Sequence, residues 1–124
     1  MKKYTKTHEW VEVIESKKAK VGITTHAQEE LGDIVYVDLP KVGTEIKKGE
    51  QFMSIESVKA AEDIYAPVSG TITAVNEELS DKPELVNEDA EGKGWLVEVE
   101  LSDPSELDDL LSEEDYKKLI EEEG

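Results

Sequence analysis

The sequence predicts one mostly β domain of the barrel or sandwich type, with a short helix near residues 25–31 and two C-terminal helices. Two observations predict it. Short β-branched runs recur along most of the 124 residues, with turn residues between them. Only after residue 101 does the apolar pattern change to a helical period. A chain of this length can bury about two-thirds of its unfolded surface around one core, so residues 1–124 are predicted to form a single domain.

The first predicted elements are a hairpin and a helix. Residues 10–15 and 19–23 are β-branched runs separated by three polar residues, which is typical of an antiparallel pair. Thr24 can serve as the N-cap of a helix that follows it, and Gly32 stands where that helix would stop. This pattern predicts the short helix.

Several strands are predicted next. In residues 33–39 the side chains alternate, which places Ile34 and Tyr36 on one face and Val35 and Val37 on the other. Further strands are predicted at 51–57, 60–65 and 70–75, with a turn at 66–69 before the last of them. The acidic segment 76–94 carries glycine and proline and is predicted to be mostly loop.

The C-terminal part changes from strand to helix. Residues 95–101 alternate, with Trp95, Val97, Val99 and Leu101 on the face predicted to be buried. Two helices are predicted at about 103–122. Pro104 suits the first helical position of one, and Ser112 with Asp115 resembles a capping box for the other.

The charge limits the partners. The formal net charge is −17, from 31 acidic and 14 basic residues. This balance excludes a nucleic-acid surface and disfavours an anionic membrane, because both need a basic face. It is consistent with steering toward basic patches on partner proteins, and equally with solubility alone.

Other absences limit location. There is no cysteine, which excludes disulfides and thiolate chemistry. No apolar run follows the first ten residues as in a signal peptide, and no segment has the roughly 20 apolar residues of a membrane helix. We expect a soluble cytoplasmic protein, or one of the mitochondrial matrix if a transit segment has been removed.

The residues offer little for catalysis. His8 and His26 are the only histidines, and their spacing matches no metal-ligand motif. Nucleophile-elbow, dinucleotide and phosphate-loop motifs are also absent. We therefore predict a protein that is not an enzyme and has no metal site.

Lys59 stands out by its position between the predicted strands 51–57 and 60–65. An exposed lysine at a hairpin tip can be acylated, which removes its charge and extends its reach, as a swinging arm requires. The Asn-Gly or Asp-Gly signal of a tight hairpin is missing there. The residues alone leave open that Lys59 is only a solvated surface charge.

The sequence around Lys59 resembles that of the glycine cleavage H-protein family, which are lipoyl carriers. IESVKA at 55–60 and APVSG at 66–70 carry the resemblance most directly. Further similar segments are THEW at 7–10, VGIT at 21–24, HAQ at 26–28, LGDIVYV at 31–37, WL at 95–96 and PSEL at 104–107. Acyltransferase lipoyl domains usually have Asp-Lys-Ala and biotin carriers Met-Lys-Met at this place, whereas this chain has Val-Lys-Ala.

The resemblance implies a barrel-sandwich hybrid fold and lipoic acid joined covalently to Lys59. The carrier would be non-catalytic and monomeric. It would take an aminomethyl group from the pyridoxal-phosphate glycine decarboxylase to the tetrahydrofolate-dependent aminomethyltransferase, and electrons to dihydrolipoamide dehydrogenase. A lipoate ligase or a lipoyl/octanoyl transferase would attach the cofactor.

The resemblance also implies roles for other residues. Glu56 and Gly43 correspond to positions implicated in recognition by the lipoyl-attaching enzymes, and His26, Glu12 and Asp63 to the cleft that shelters the loaded arm. Simpler roles are open: a surface carboxylate for Glu56, a turn glycine of positive φ for Gly43, and a locally bonded helix-end histidine for His26.

Four further residues are predicted to be structural. Pro67 and Gly70 would fix the turn after the hairpin, and Trp10 and Trp95 would pack in or around the core.

Two alternative functions remain from the sequence. An H-like protein could act mainly as a lipoyl or octanoyl donor in lipoate assembly or redox defence, with the same lysine. The chain could also be a structural interaction module with Lys59 unmodified.

Overall fold

Two antiparallel sheets share one core in the computed structural model, which describes residues 2–123. One sheet has six strands in the order β1-β2-β3-β9-β8-β5, and the other has three in the order β4-β6-β7. The strands are Lys2–Tyr4 (β1), Glu9–Glu15 (β2), Lys18–Ile23 (β3), Ile34–Asp38 (β4), Glu45–Ile46 (β5), Gln51–Ser57 (β6), Ala61–Tyr65 (β7), Gly70–Val75 (β8) and Val97–Leu101 (β9). The predicted fold class, a mostly β barrel-sandwich hybrid with short helices, is confirmed.

The helices are short and lie between strands or at the C-terminus. The α-helices are Thr25–Leu31 (α1), Glu78–Asp81 (α2), Glu84–Asp89 (α3) and Glu113–Glu123 (α4). A 3-10 helix spans Pro104–Asp109, so the first predicted C-terminal helix has the tighter helical form. The predicted caps of α1 are confirmed, because the Thr24 side chain accepts from the Ala27 amide and Gly32 ends the helix with φ 79°. Within residues 2–123, no helix is both long enough and apolar enough to cross a membrane.

The main core takes fully buried side chains from both sheets, such as Val11, Val21, Ile55 and Ile72. A smaller cluster forms where α4 meets the N-terminal strands. There the rings of Tyr4 and Tyr116 stack with their centroids 4.7 Å apart, beside the buried Trp10. These contacts attach α4 to the sheet.

Both tryptophans pack as predicted. Trp10 is buried and donates its indole N–H to the carbonyl of Ala90 at 3.0 Å. It lies opposite Gly22 on β3, where an added Cβ would come within 2.7 Å of the indole nitrogen. Trp95 is partly buried against the smaller cluster.

Pro67 and Gly70 are both buried, which agrees with a structural role. A Cβ at Gly70 would lie 2.1 Å from the carbonyl oxygen of Glu100 on the paired strand. Only glycine allows the strands to approach this closely.

The prediction of a loop over residues 76–94 was wrong in part. Helices α2 and α3 lie within this segment, and each buries one apolar side chain, Leu79 and Val86. Both helices are too short to show a helical period in the sequence, and their stability comes from this burial rather than from propensity. The acids, glycines and proline of this segment therefore predicted a loop where two short helices lie.

The predicted faces of β4 were also wrong. Ile34 and Val37 are buried, whereas Val35 and Tyr36 between them are each 52% exposed. The pairing with β6 shifts register between Ile34 and Tyr36. Such a bulge turns two consecutive side chains outward and breaks the simple alternation.

Two strands and one side chain were not predicted correctly. Strands β1 and β5 were missed because they have only three and two residues. Leu96 was expected on the outward face, but it is fully buried, because the regular strand begins only at Val97. Its amide instead bonds the carbonyl of Val21 at 2.8 Å.

Candidate functional site

The turn between β6 and β7 carries Lys59 at its tip, exposed as predicted. The amide of Ser57 donates to the carbonyl of Ala60 at 2.8 Å and closes the hairpin. The Ser57 hydroxyl accepts from the amides of Lys59 and Ala60 at 3.2 and 3.1 Å. A side chain thus satisfies the turn amides.

The absence of Asn-Gly at this turn has a structural reason. Among the residues the structure describes, His8 is the one non-glycine with positive φ, so Val58 and Lys59 both have negative φ. The turn is therefore neither type I′ nor type II′, the types that favour Asn-Gly. The Ser57 hydroxyl satisfies the turn amides, so the turn forms without Asn-Gly.

The tip is also attached to the end of α1. The amide of Val58 donates to the carbonyl of Asp33 at 2.9 Å. A Cβ added at Gly32 would lie 3.4 Å from Cε of Lys59, so the lysine stem passes over this glycine. The position of Lys59 is thus fixed by two elements, while its side chain remains accessible.

A cavity of about 300 Å³ lies beside the tip and begins next to Lys59, at Ala60. It is lined by β7, the turn before β2, the end of β3, and α1. The lining residues are Thr7, His8, Glu9, Ile23, Ala27, Glu30, Leu31, Ala60, Glu62, Asp63 and Ile64. Four of them are acids, so the cavity combines an apolar wall with negative charge.

Glu9 is the buried acid of this cavity, with 2% of its surface exposed. Its carboxylate accepts hydrogen bonds from the hydroxyls of Thr5, at 2.7 Å, and Thr7. Burial raises the pKa of Glu9; the threonine bonds oppose this rise, and the charge of Glu62 adds to it. A cation placed in the cavity would favour the ionised carboxylate.

Sequence reasoning did not single out Glu9. The only signal was its place in the THEW segment, since nothing local shows that the first residue of β2 is buried. Of the predicted cleft residues, Glu12 and His26 do not line this cavity. Glu12 lies outside this cavity, between Lys2 and Lys20 on the neighbouring strands. Asp63, in contrast, lines it.

His26 lies near this cavity but does not line it. It borders a second cavity, of about 340 Å³, on the side of α4. Its Nε2 lies 2.8 Å from Glu30, and its ring centroid is 4.9 Å from that of His8. His8 lines the first cavity, so the two histidines connect the cavities.

Glu56 lies close to the tip, whereas Gly43 lies far from it. Glu56 is exposed on β6, opposite Tyr36 and Ala61. Gly43 follows the end of β4 that points away from the tip, and its φ of 94° agrees with the turn-glycine interpretation. Within residues 2–123, no heavy atom outside Gly43 and its chain neighbours lies within 4 Å of a Cβ added at that glycine.

The structure brings together four possible metal ligands from three separate segments of the chain. They are His8, His26, Glu30 and Glu123, and one ligand atom from each lies within 4.8 Å of the others. No spacing rule could have found them, because three separate segments contribute.

The chain was compared with known proteins. The family model described as glycine cleavage H-protein matches residues 2–123. The glycine cleavage system H protein of Thermotoga maritima is 64% identical over 123 residues, which cover 99% of this chain and 98% of that protein. That of Carboxydothermus hydrogenoformans is 57% identical over 122 residues, covering 98% and 93%.

The architecture is also similar to that of a solved structure. The crystal structure of a glycine cleavage system H protein from Mycobacterium marinum superposes with a TM-score of 0.88 at 35% identity. The match covers 97% of this chain and 96% of that one.

Proposed function

The chain belongs to the glycine cleavage H-protein family, and we propose that it is the lipoyl carrier of that system, with lipoic acid joined to Lys59 through an amide. The observation that carries the assignment of Lys59 is the tip itself. Its amides are held by Ser57 and its base by Asp33, while the amino group stays exposed. A modifying enzyme can therefore reach a lysine of fixed position.

Bound at Lys59, lipoic acid supplies dithiol and disulfide chemistry that the side chains of a cysteine-free chain cannot. The protein contributes the tether. Tethering would let one arm reach the decarboxylase, the aminomethyltransferase and dihydrolipoamide dehydrogenase in turn without leaving the protein. The chain is in this proposal non-catalytic.

The cavity beside the tip would shelter the loaded arm. Its cargo, an aminomethyl group, carries a cationic amine, and Glu9, Glu62 and Asp63 supply negative charge there. The threonine bonds to Glu9 hold its carboxylate in place. Ile64 and Leu31 exclude water, which would protect the cargo from hydrolysis.

The predicted cleft residues Asp63, His26 and Glu12 would act on the arm in different ways. Asp63 lines the cavity and would lie beside the sheltered arm. His26 acts beside it, through His8, and Glu12 influences it only through charge, since it lies outside the cavity.

Recognition by the attaching enzyme is proposed to use Glu56 and Gly43. Glu56 is supported by its exposure on the strand that leads to Lys59. Gly43 would act by giving its turn the required backbone shape. The enzyme that attaches the cofactor would be a lipoate ligase or a lipoyl/octanoyl transferase.

Neither alternative function is favoured by the comparisons, since the relatives are named for glycine cleavage. The two relatives named above come from bacteria, which supports a cytoplasmic location. The carrier is further proposed to be a monomer with a single domain.

Lys59→Arg tests the carrier assignment. We expect the lipoylated wild type to support glycine-dependent bicarbonate exchange with the decarboxylase, and the variant to support none, because arginine cannot form the amide. Lys41→Arg, at another exposed lysine, is the matched control and should exchange as wild type does. Exchange by the Lys59 variant at the wild-type rate would reject the proposal.

A further inference from the structure

We propose that His8, His26, Glu30 and Glu123 form a binding site for a divalent metal ion of the zinc type. Two imidazoles and two carboxylates make up a donor set that zinc commonly takes in proteins. If both imidazoles are neutral, the two carboxylates balance the charge of the ion. Lys59 is not one of the ligands, although His8 and Glu30 also line the cavity beside it, and the proposal does not depend on the carrier function.

The distances suit four-coordinate binding after small side-chain movements. Nε2 of His26 lies 2.8 Å from Glu30, and Nε2 of His8 lies 3.1 Å from Glu123. Ligand atoms on a tetrahedral zinc ion are about 3.3–3.6 Å apart, given bonds of about 2.0–2.2 Å. The widest separation here is within 4.8 Å, and both glutamates are exposed enough to close it.

The backbone positions support the arrangement. His26 and Glu30 are one helical turn apart on α1 and are on the same face. His8 lies in the turn before β2, and Glu123 is in the last turn of α4. The contact of α4 with the N-terminal strands brings these segments together.

Hydrogen bonds behind His8 provide the outer support typical of a metal-bound histidine. Nδ1 of His8 lies 2.7 Å from the Tyr116 hydroxyl, which lies 2.7 Å from the Thr24 hydroxyl. When Nδ1–H donates to Tyr116, Nε2 presents a lone pair toward Glu123. A metal ligand needs this tautomer, and a second partner commonly fixes it.

Because the four ligands lie on three segments, a bound ion is expected to stabilise the fold. A bound ion would join α1, α4 and the turn before β2, and would stabilise the folded state by binding to it alone. It would also hold His8, and therefore one wall of the cavity beside Lys59.

Zinc titration of the full chain tests the proposal, by calorimetry with zinc chloride on protein free of any histidine tag and made without lipoate. Leaving out lipoate excludes binding by its dithiol. We expect one zinc ion per chain, a higher melting temperature with zinc, and no response to magnesium, which prefers oxygen ligands.

Variants locate the ion. His26→Ala and Glu123→Gln should each weaken zinc binding at least about tenfold, as should His8→Asn, which tolerates the φ of 70° at that position. Glu29→Gln, on α1 but outside the four ligands, is the matched control and should bind as wild type does. The proposal is overturned if zinc does not bind, if the ligand variants bind it as tightly as wild type, or if the control loses as much.

Discussion

Glu9 is a titratable carboxyl group that is deeply buried. The sequence did not reveal that it is buried or that it lines the cavity. Thr5 and Thr7 satisfy its carboxylate, yet burial still raises its pKa above the ordinary value of 4.5. In the proposed function this acid faces a cationic cargo, which would offset the cost of ionising it.

Glu9→Gln should change how stability depends on pH. Because the folded state binds the Glu9 proton more tightly than the unfolded state, wild type gains stability relative to the variant as pH falls from neutral toward 4.5. Below that value the difference should be constant. Urea unfolding of both proteins at a series of pH values measures it. A difference that is independent of pH, or that favours wild type as pH rises, would contradict the burial argument.

The family resemblance pointed to Lys59 and Asp63, which the structure places at the hairpin tip and in the lining of the neighbouring cavity, but it did not point to Glu9. Two apolar strands flanking Lys59 drew attention to it, but this local pattern also fits a solvated surface lysine, and only the family resemblance predicted a lipoyl lysine there. The burial of Glu9 and the meeting of His8 with His26 arise from contacts between distant segments, which no local pattern records.

The hairpin of β6 and β7 is the element that presents the lysine. Its strands were predicted closely, but its turn was not, because the Ser57 side chain replaces the residues that normally mark such a turn. The shape of the tip therefore depends on one hydroxyl.

Ser57→Ala should loosen the tip. The freed amides are exposed and can bond water, so the free energy of unfolding should fall by less than about 1 kcal/mol. The rate of enzymatic lipoylation should fall more clearly, because the lysine is no longer held in one position. Ser54→Ala, in the same strand outside the turn, is the control. Lipoylation of the Ser57 variant at the wild-type rate would count against a role for this turn.

Helices α2 and α3 could not be predicted from the apolar pattern of the sequence. Each has one buried apolar residue, and one position per helix cannot define a period. The C-terminal helix α4 was predicted because it has several apolar residues and a serine cap, and the Ser112 hydroxyl does accept from the Asp115 amide at 3.1 Å.

Leu79→Ala should show that α2 belongs to the core. Leu79 is 1% exposed, so its truncation should lower the free energy of unfolding by about 2–5 kcal/mol. Ser80→Ala, at the exposed neighbouring position, should change it by less than about 0.5 kcal/mol. Chemical denaturation compares them, and equal small effects would mean that α2 is only a surface turn.

The whole molecule carries a formal net charge of −17. This charge is consistent both with solubility and with steering toward basic partners. In the carrier proposal the protein must meet several enzymes in turn, and charge complementarity would speed each encounter.

Exchange with the decarboxylase should therefore depend on salt. We expect kcat/KM to fall as sodium chloride is raised, because screening weakens attraction between charged surfaces. Sucrose at matched osmolality, which does not screen charge, is the control. A kcat/KM that does not change with salt would leave solubility as the explanation of the charge.

Whether Lys59 carries the lipoyl group is decided by intact-mass analysis with peptide mapping. The protein is produced with lipoate and a lipoate ligase, beside Lys59→Arg. We expect wild type to gain the mass of one lipoyl group, mapped to Lys59, and the variant to gain none. An unchanged wild-type mass, or a lipoyl group mapped to another lysine, would contradict it.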